Sequence, residues 1–236
     1  MVSHSAGTGL LSLRVGGIAP LGPGAVPSAI GKQPVAGRLS LTPLGLAGDD
    51  QADRRHHGGP DKALHHYPAQ HYAAWRNELP ERASLFEPGG FGENLSTLGL
   101  DEGNVCLGDI FRLGSATIQV SQGRQPCWKL NLRFAVPDMA RRVQEHGRVG
   151  WYYRVLEEGE VGPEVQLLPL ERPHPDWPLA RVLRIFYRNT LDREGLAALA
   201  ALAVLAPGWR DTAAKRLESG RVEDWRRRLE GRASDA

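Results

Sequence analysis

The sequence predicts a mainly β protein with inserted helices, in which a β-rich body precedes a small helical region. In the body, apolar and polar residues alternate in short runs, a pattern that turns one face of a strand toward a core. Glycine and proline recur between these runs, as they do between short, closely spaced strands. Beyond position 172 the apolar spacing changes from two residues to three or four, which is typical of helices.

The strands are predicted where the alternation is clearest. These segments are 11–15, 35–41, 116–120, 151–155 and 165–167. Because the runs are short and separated by turn residues, they favour a barrel or a sandwich over alternating β-α-β units.

Two helices are predicted to interrupt the β-rich body. Pro68 is suited to a helix start, and Tyr72 and Trp75 then lie on one apolar face. Pro137 opens the second helix, and Gly147 is suited to end it. The predicted fold is therefore a β-barrel or sandwich decorated by helices.

A proline-rich linker at 171–175 divides the chain into a β-barrel domain, 1–172, and a helical domain, 173–236. Three helices are predicted in the second domain from the apolar spacing after Leu179, Leu196 and Val222. The longest apolar run, 196–206, is predicted to be a core helix, because a membrane span needs about 20 such residues. The apolar helices are also suited to support a homodimer.

The composition excludes several classes of protein. The 236 residues include 29 basic and 27 acidic side chains, so the net charge of +2 gives no argument for a nucleic acid polymer or a membrane as partner. Two cysteines cannot build a disulfide framework or a four-thiolate zinc site. The first nine residues contain no lysine or arginine, so no signal peptide is read. These features predict a cytoplasmic location.

Histidines are concentrated in one stretch of the chain, 56–71. Such density first suggests a metal site, but no His-Glu-x-x-His motif is present and a Gly-Gly-Pro turn interrupts any helix there. A second interpretation is an anion cradle, in which Arg54, Arg55 and Lys62 flank that glycine turn. The remaining alternative is a polar surface loop.

A second candidate segment has the sequence Phe-Gly-Glu-Asn-Leu-Ser at 91–96. Its glycines permit a sharp bend, and Asn94 offers hydrogen-bond donors and an acceptor. Taken alone, the segment favours an Asx-type turn in which Asn94 closes its own backbone.

The two cysteines lie in different settings. Cys106 lies between apolar residues of a predicted strand and is interpreted as a core residue. Cys127 lies in a turn between Arg124 and Lys129, whose positive charges favour the thiolate that attacks electrophiles and binds soft metals. A cysteine protease would need a histidine partner, for which His57 or His66 is available in the sequence.

Three segments taken together resemble the MOSC family. They are Gly-Asp-x-Gln-Ala-Asp with His-Gly-Gly-Pro-Asp-Lys-Ala at 48–63, Phe-Gly-Glu-Asn-Leu-Ser at 91–96, and Val-Ser-Gln-Gly-Arg-Gln-Pro-Cys-Trp-Lys-Leu-Asn at 120–131. The chain most resembles the YiiM-type members of the family. This resemblance implies a MOSC β-barrel followed by a small C-terminal three-helix domain. His56 and His65 lie at positions where the family is not expected to require histidine.

The resemblance implies a molybdenum cofactor and a set of residues that hold it. Cys127 is implied as the protein ligand of the metal and as the catalytic residue. The implied contacts to the phosphate of the pterin are Arg54, Arg55, Lys62 and Arg124. The residues implied to orient the pterin or its surrounding loops are Asp49, His57, Asp61 and Asn94.

The activity implied by the resemblance is reduction of N-hydroxylated bases and related N-oxygenated compounds by oxygen-atom abstraction at molybdenum, which confers resistance to hydroxylaminopurines. Because no Gly-x-Gly-x-x-Gly fingerprint is present, a separate electron-donor reductase is implied. Three alternatives stay open: a cofactor carrier without turnover, a sulfur carrier with a persulfide on Cys127, and a histidine-rich zinc hydrolase.

Overall fold

A computed structural model describes residues 7–53 and 58–231, and strands dominate the first part of the chain. The strands of the described residues are β1 (Thr8–Val15), β2 (Ala19–Leu21), β3 (Val26–Ser28), β4 (Gln33–Pro34), β5 (Leu39–Thr42), β6 (Gly45–Leu46), β7 (Leu64–Pro68), β8 (Leu95–Thr97), β9 (Ile110–Leu113), β10 (Ala116–Gly123), β11 (Trp151–Glu157), β12 (Gly159–Val161) and β13 (Gln166–Glu171).

Helices lie between the strands and, above all, after them. The α-helices of the same residues are α1 (Gln70–Glu78), α2 (Lys129–Phe134), α3 (Met139–His146), α4 (Leu179–Tyr187), α5 (Arg193–Ala201), α6 (Pro207–Ser219) and α7 (Arg226–Glu230). Short 3-10 helices cover Pro60–Lys62 and Pro80–Leu85.

The main sheet closes into a barrel. Its strands follow the order β13-β9-β10-β11-β7-β8-β1, and β1 also pairs with β13, which joins the two ends. Neighbouring strands are antiparallel except for β7 and β8, which run parallel. Closure leaves no exposed edge on this ring of seven strands. The prediction of a mainly β fold with a barrel and inserted helices is confirmed.

Strand β10 explains how the helical region attaches to the barrel. Its alternating residues Ala116, Ile118 and Val120 face the core, as the sequence predicts. The opposite face is covered as well, because Leu183 and Trp209 of the helical region approach Gly123 at the end of the strand. The buried apolar residues of barrel and helices accordingly form one continuous core.

The two helices predicted within the body are α1 and α3. In α1, Tyr72 and Trp75 are buried and form the apolar face. Helix α3 begins at Met139 and ends at His146, and Gly147 follows with a φ of 70°, the left-handed conformation that favours glycine at a helix end. Both helices are confirmed, but the start predicted at Pro68 is wrong, since α1 begins at Gln70 and Pro68 is the last residue of β7.

The helical region differs from the prediction in two respects. The apolar run 196–206 is not one helix, because α5 ends at Ala201 and α6 begins at Pro207. Proline fits the first turn of a helix and forces the residue before it into an extended conformation, which Ala206 adopts with ψ of 138°. Helix α6 therefore supplies a helix that the spacing missed, and the segment predicted from position 222 contains only the short α7. The division at 172 and 173 stays a prediction.

Cys106 is buried with 3% of its surface exposed, as predicted for a core residue. The strand predicted around it is wrong, since Cys106 makes only an isolated bridge to Pro178. Within the described residues, no helix has the length and apolar character that crossing a membrane requires.

Candidate functional site

A cleft opens at one end of the barrel, where β1 and β10 finish and β7, β8 and β11 begin. The pairing register brings these ends together, because Leu13 and His66 both align with Leu95 while Gly123 aligns with Trp151. The cleft has about 640 Å³ of empty space, part of it open solvent. Its polar lining includes Asp49, Lys62, His65, Asn94, Arg124 and Cys127.

Asp49 is the centre of a hydrogen-bond network that joins separate loops. Its Oδ1 accepts hydrogen bonds from the Gly16 N–H at 2.9 Å and from the Lys32 ammonium. Its Oδ2 accepts from the Asn94 amide at 2.9 Å. Burial lowers the pKa of Lys32, whereas its contact with Asp49 opposes that change. Asp49 therefore fixes the loops around the cleft through contacts within the protein.

Asn94 connects the network to two strands. Its Oδ1 accepts a hydrogen bond from the His65 N–H at 3.0 Å, and its amide donates to the Arg14 carbonyl at 3.1 Å. The local Asx turn favoured by the segment alone is wrong, because the side chain binds distant segments instead of its own backbone. Asn94 thus holds the starts of β7 and β8 against the end of β1.

Glu93, which the sequence analysis missed, is the buried anchor of the same loop. Its carboxyl oxygens accept hydrogen bonds from the Tyr72 hydroxyl, the Gly89 N–H, the Phe91 N–H at 3.0 Å and the Ser96 hydroxyl at 3.1 Å. Burial and Glu93 together raise the pKa of Tyr72. An acidic residue beside a glycine is typical of a solvated loop, and this segment has no periodic apolar pattern. The burial of Glu93 could therefore not be predicted from the local sequence.

Arg124, which lines the cleft, carries a hydrogen-bond donor without a partner. Its side chain is buried, with 6% of the residue exposed, and its Nη1 has no hydrogen-bond partner among the described residues. The backbone N–H of Arg124 donates to the Gly150 carbonyl at 3.0 Å, which fixes the start of the side chain. An unsatisfied buried cationic donor is costly, and an anionic ligand would satisfy it.

His65 lies next to Arg124 and also carries an unused polar atom. Its ring contacts the Tyr152 ring at 5.0 Å between centroids, and its Nε2 has no partner among the residues that the structure describes. Burial and the charge of Arg124 lower the pKa of His65 well below its usual value, so the ring is neutral at pH 7. Burial raises the pKa of Tyr152. The sequence motifs gave no role to His65, Lys32 or Tyr152, yet all three line the cleft.

Cys127 lies at the same cleft, two residues before α2. Its thiol is free and half-buried, and its carbonyl accepts the first hydrogen bond of the helical turn, from the Leu130 N–H at 2.9 Å. Tyr152 is close enough for the thiol to affect its pKa. The structure therefore brings Cys127 into a single cleft with Arg124, which lies three positions earlier in the sequence.

The remaining residues implied by the resemblance lie in different places. Lys62 lines the cleft, and burial lowers its pKa. Asp61 is not among the lining residues, because its carboxylate pairs with Arg154 at 2.7 Å and its carbonyl accepts from the Ser121 hydroxyl at 2.6 Å. Arg54, Arg55 and His57, with His56, lie outside the described residues, so their roles stay predictions.

The described histidines do not form a metal centre. His66 is fully buried, and both of its ring nitrogens have partners at 3.0 Å, the Tyr153 and Thr97 hydroxyls. His71 contacts Glu102 at 2.7 Å. Across residues 7–53 and 58–231, no three side chains of the His, Cys, Asp or Glu types are grouped to hold a metal ion. His66 is therefore a core residue and no partner for a nucleophilic Cys127.

Because His66 is buried, we expect the free energy of unfolding to depend on pH. Burial lowers its pKa to about 3, whereas an unfolded chain protonates the same ring below about 6.5. The stabilisation is complete above pH 6.5 and is lost as the pH falls toward 3, because the unfolded state binds the extra proton. From pH 8 to pH 5 we expect this residue to lower the free energy of unfolding by about 2 kcal/mol.

Urea unfolding of the wild type and of His66→Asn between pH 8 and pH 5 measures this contribution. The variant should lose part of the pH dependence and keep the share of His65. Equal slopes in the two proteins would contradict the assignment.

Comparisons with known proteins agree with the fold and with the order of its parts. The family profile described as "MOSC domain" matches residues 53–167, and the profile "YiiM-like, 3-alpha helix domain" matches residues 177–220. The chain is 48% identical to protein YiiM of Escherichia coli over 87% of its length and 92% of that protein. It is 38% identical over 89% of its length to a protein of Gibberella moniliformis named "Reductase", of which it spans 37%.

A solved structure supports the same assignment. The crystal structure of YiiM from Escherichia coli superposes with a TM-score of 0.76, at 42% sequence identity, and covers 90% of this chain and 98% of that one. The resemblance of the three sequence segments is thereby confirmed, and the chain belongs to the MOSC family, with a YiiM-like helical region after the barrel.

Proposed function

We propose that this protein binds molybdenum cofactor in the barrel cleft and reduces N-hydroxylated bases and related N-oxygenated compounds. The observation that carries the proposal is a free thiol, Cys127, in one cleft with the buried Arg124, whose Nη1 has no hydrogen-bond partner among the described residues. The MOSC family is associated with this cofactor, and a relative bears the name "Reductase".

The chemistry of the cleft fits the two ends of that cofactor. A pterin phosphate is an anion, and Arg124 with Lys62 offers cationic donors for it. A thiolate is a soft ligand, so Cys127 is suited to a transition metal that already has sulfur ligands. When bound, the cofactor supplies a metal centre that accepts an oxygen atom and exchanges two electrons.

In this proposal, the side chains of the cleft bind and orient the reactants and exclude water from them. Asp49, Lys32 and Asn94 keep the loops of the cleft in one arrangement through their mutual hydrogen bonds. His65 adds a neutral ring to the cleft wall, and its buried Nε2 has no hydrogen-bond partner among the described residues. The overall reaction consumes two electrons and two protons and converts an N–OH group into N–H and water. The electrons come from a separate donor protein.

The test is reduction of benzamidoxime and of a hydroxylaminopurine by cofactor-loaded protein that is given an electron donor. Product formation in proportion to the molybdenum content supports the proposal. Loaded protein without turnover would indicate a cofactor carrier instead, and a persulfide on Cys127, found by mass analysis with sulfide release, would indicate a sulfur carrier. One zinc per chain without molybdenum or pterin would overturn the proposal.

The Arg124→Gln substitution tests whether Arg124 helps to retain the cofactor. Loss of the charged donor removes a charge-assisted hydrogen bond, so we expect the molybdenum content after dialysis to fall about tenfold. Metal analysis together with thermal unfolding measures the content and checks the fold. Arg112→Ala is the matched control, because Arg112 is exposed on β9, outside the cleft. Equal metal content in Arg124→Gln and wild type would contradict the anion role.

A further inference from the structure

The short C-terminal helix α7 returns from the helical region to the cysteine segment of the barrel. Arg228 in this helix makes two hydrogen bonds on either side of Cys127. Its Nη1 donates to the Pro126 carbonyl at 2.7 Å, and its own carbonyl accepts from the Trp128 N–H at 2.7 Å. One residue of the helical region therefore binds both peptide groups that flank the thiol.

Two further contacts hold the same two segments together, and a third anchors Arg228 to helix α3. The second Arg228 nitrogen, Nη2, donates to Gln144 Oε1 of helix α3 at 2.6 Å. The Asn131 amide donates to the Leu229 carbonyl at 2.9 Å. The backbone of Gly231 lies against the Trp128 ring so closely that a Cβ there would come within 2.8 Å of it.

The guanidinium of Arg228 is itself held by the helical region. It lies 5.7 Å from the Tyr187 ring of α4 and 5.9 Å from the Trp225 ring. Trp225 in turn donates a hydrogen bond to Glu223, whose carboxylate forms a two-point ion pair with the buried Arg216 of α6. A continuous set of contacts thus leads from α4 and α6 to the cysteine.

These contacts restrict the backbone torsions at Cys127. The carbonyl before the residue and the N–H after it are both fixed, and the Cys127 carbonyl is already bound to the Leu130 N–H. With its backbone fixed on both sides, the Cα–Cβ bond of Cys127 keeps one direction, and the residue lines the cleft. We infer that Arg228 is a positioning residue that holds the Cys127 thiol toward the cleft, so that the C-terminal helix completes the site of the barrel.

The effect of this positioning on catalysis rests on the proposed function, whereas its effect on the thiol does not. The first measurement is therefore made on cofactor-free protein: the rate at which iodoacetamide alkylates Cys127, followed by peptide mass. In Arg228→Ala the segment opens more often, and we expect the rate to rise about tenfold, the scale of one lost hydrogen bond to a charged group.

Two variants control for general loosening of the protein. Arg227→Ala removes the neighbouring arginine, which is exposed, and its alkylation rate should equal that of the wild type. Arg228→Lys keeps the charge but lacks the guanidinium, which reaches Pro126 and Gln144 together. Its alkylation rate should therefore lie between those of the wild type and Arg228→Ala. If Arg228→Ala does not fold, Arg228→Lys and Gln144→Ala decide the question, each with a raised rate and circular dichroism like that of the wild type.

The second measurement is the molybdenum content and the kcat of cofactor-loaded protein, both expected to fall about tenfold in Arg228→Ala. An inactive wild type would defeat the proposed function and leave the alkylation result standing. Equal alkylation rates in wild type, Arg228→Ala and Arg228→Lys would overturn the inference even if the wild type is an active reductase.

Discussion

Cys127→Ala is expected to lower the reduction of N-hydroxylated substrates by about 10³-fold or more, the scale on which single groups essential to a reaction act. Alanine removes the soft ligand and changes little else, because the thiol is free and half-buried at a cleft. The free energy of unfolding should therefore change by less than about 1 kcal/mol. Initial rates at matched protein concentration, with urea unfolding of the same samples, measure both effects.

Cys106→Ala is the matched control for this experiment. Cys106 is the second free cysteine, but it is buried away from the cleft, and its thiol contacts the Pro175 carbonyl at 3.5 Å. Burial raises the pKa of its thiol, which makes it a poor nucleophile and ligand. The control variant should keep its activity and lose some stability. Full activity in Cys127→Ala would contradict the assignment of this residue as metal ligand.

Glu93→Ala is expected to cause the largest loss of stability, on the order of 3–5 kcal/mol. The side chain is 1% exposed and accepts hydrogen bonds from four donors, which tie the loop before β8 to α1 and to β8 itself. Removing the carboxyl group leaves those donors buried without an acceptor. Because Asn94 is the next residue, the cleft should also lose its fixed geometry, and cofactor content should fall with stability.

Urea unfolding compares Glu93→Ala with Glu87→Ala. Glu87 lies in the same loop but is exposed, so its replacement should change the free energy of unfolding by less than about 0.5 kcal/mol. Similar unfolding midpoints for the two variants would show that the buried carboxyl group does not anchor the loop.

The fold could be predicted where one periodic signal dominated. Alternation identified β10 and β11, and the spacing of Tyr72 and Trp75 identified α1. The signal failed at 196–206, since a uniformly apolar run does not reveal where a helix stops. Only Pro207, which disfavours a helical conformation in the residue before it, marked that boundary. Closure between β1 and β13 joins distant residues, and no local pattern encodes such a pairing.

The site could be predicted in part. Asp49, Lys62, Asn94, Arg124 and Cys127 were selected from motifs and lie at one cleft. Side chains whose role depends on distant partners could not be predicted, because these side chains meet their partners only in the folded chain. The missed residues of this kind are Lys32, His65, Glu93 and Arg228.

The closure of the barrel has a consequence for the order of events during synthesis. Thr8 pairs with Leu167, 159 positions later in the chain, so the ring stays open until β13 has left the ribosome. Helix α7, at 226–230, emerges later still and then binds the cysteine segment. If the proposed function holds, a chain truncated before α7 would offer the cofactor a cleft whose cysteine segment lacks the contacts of Arg228.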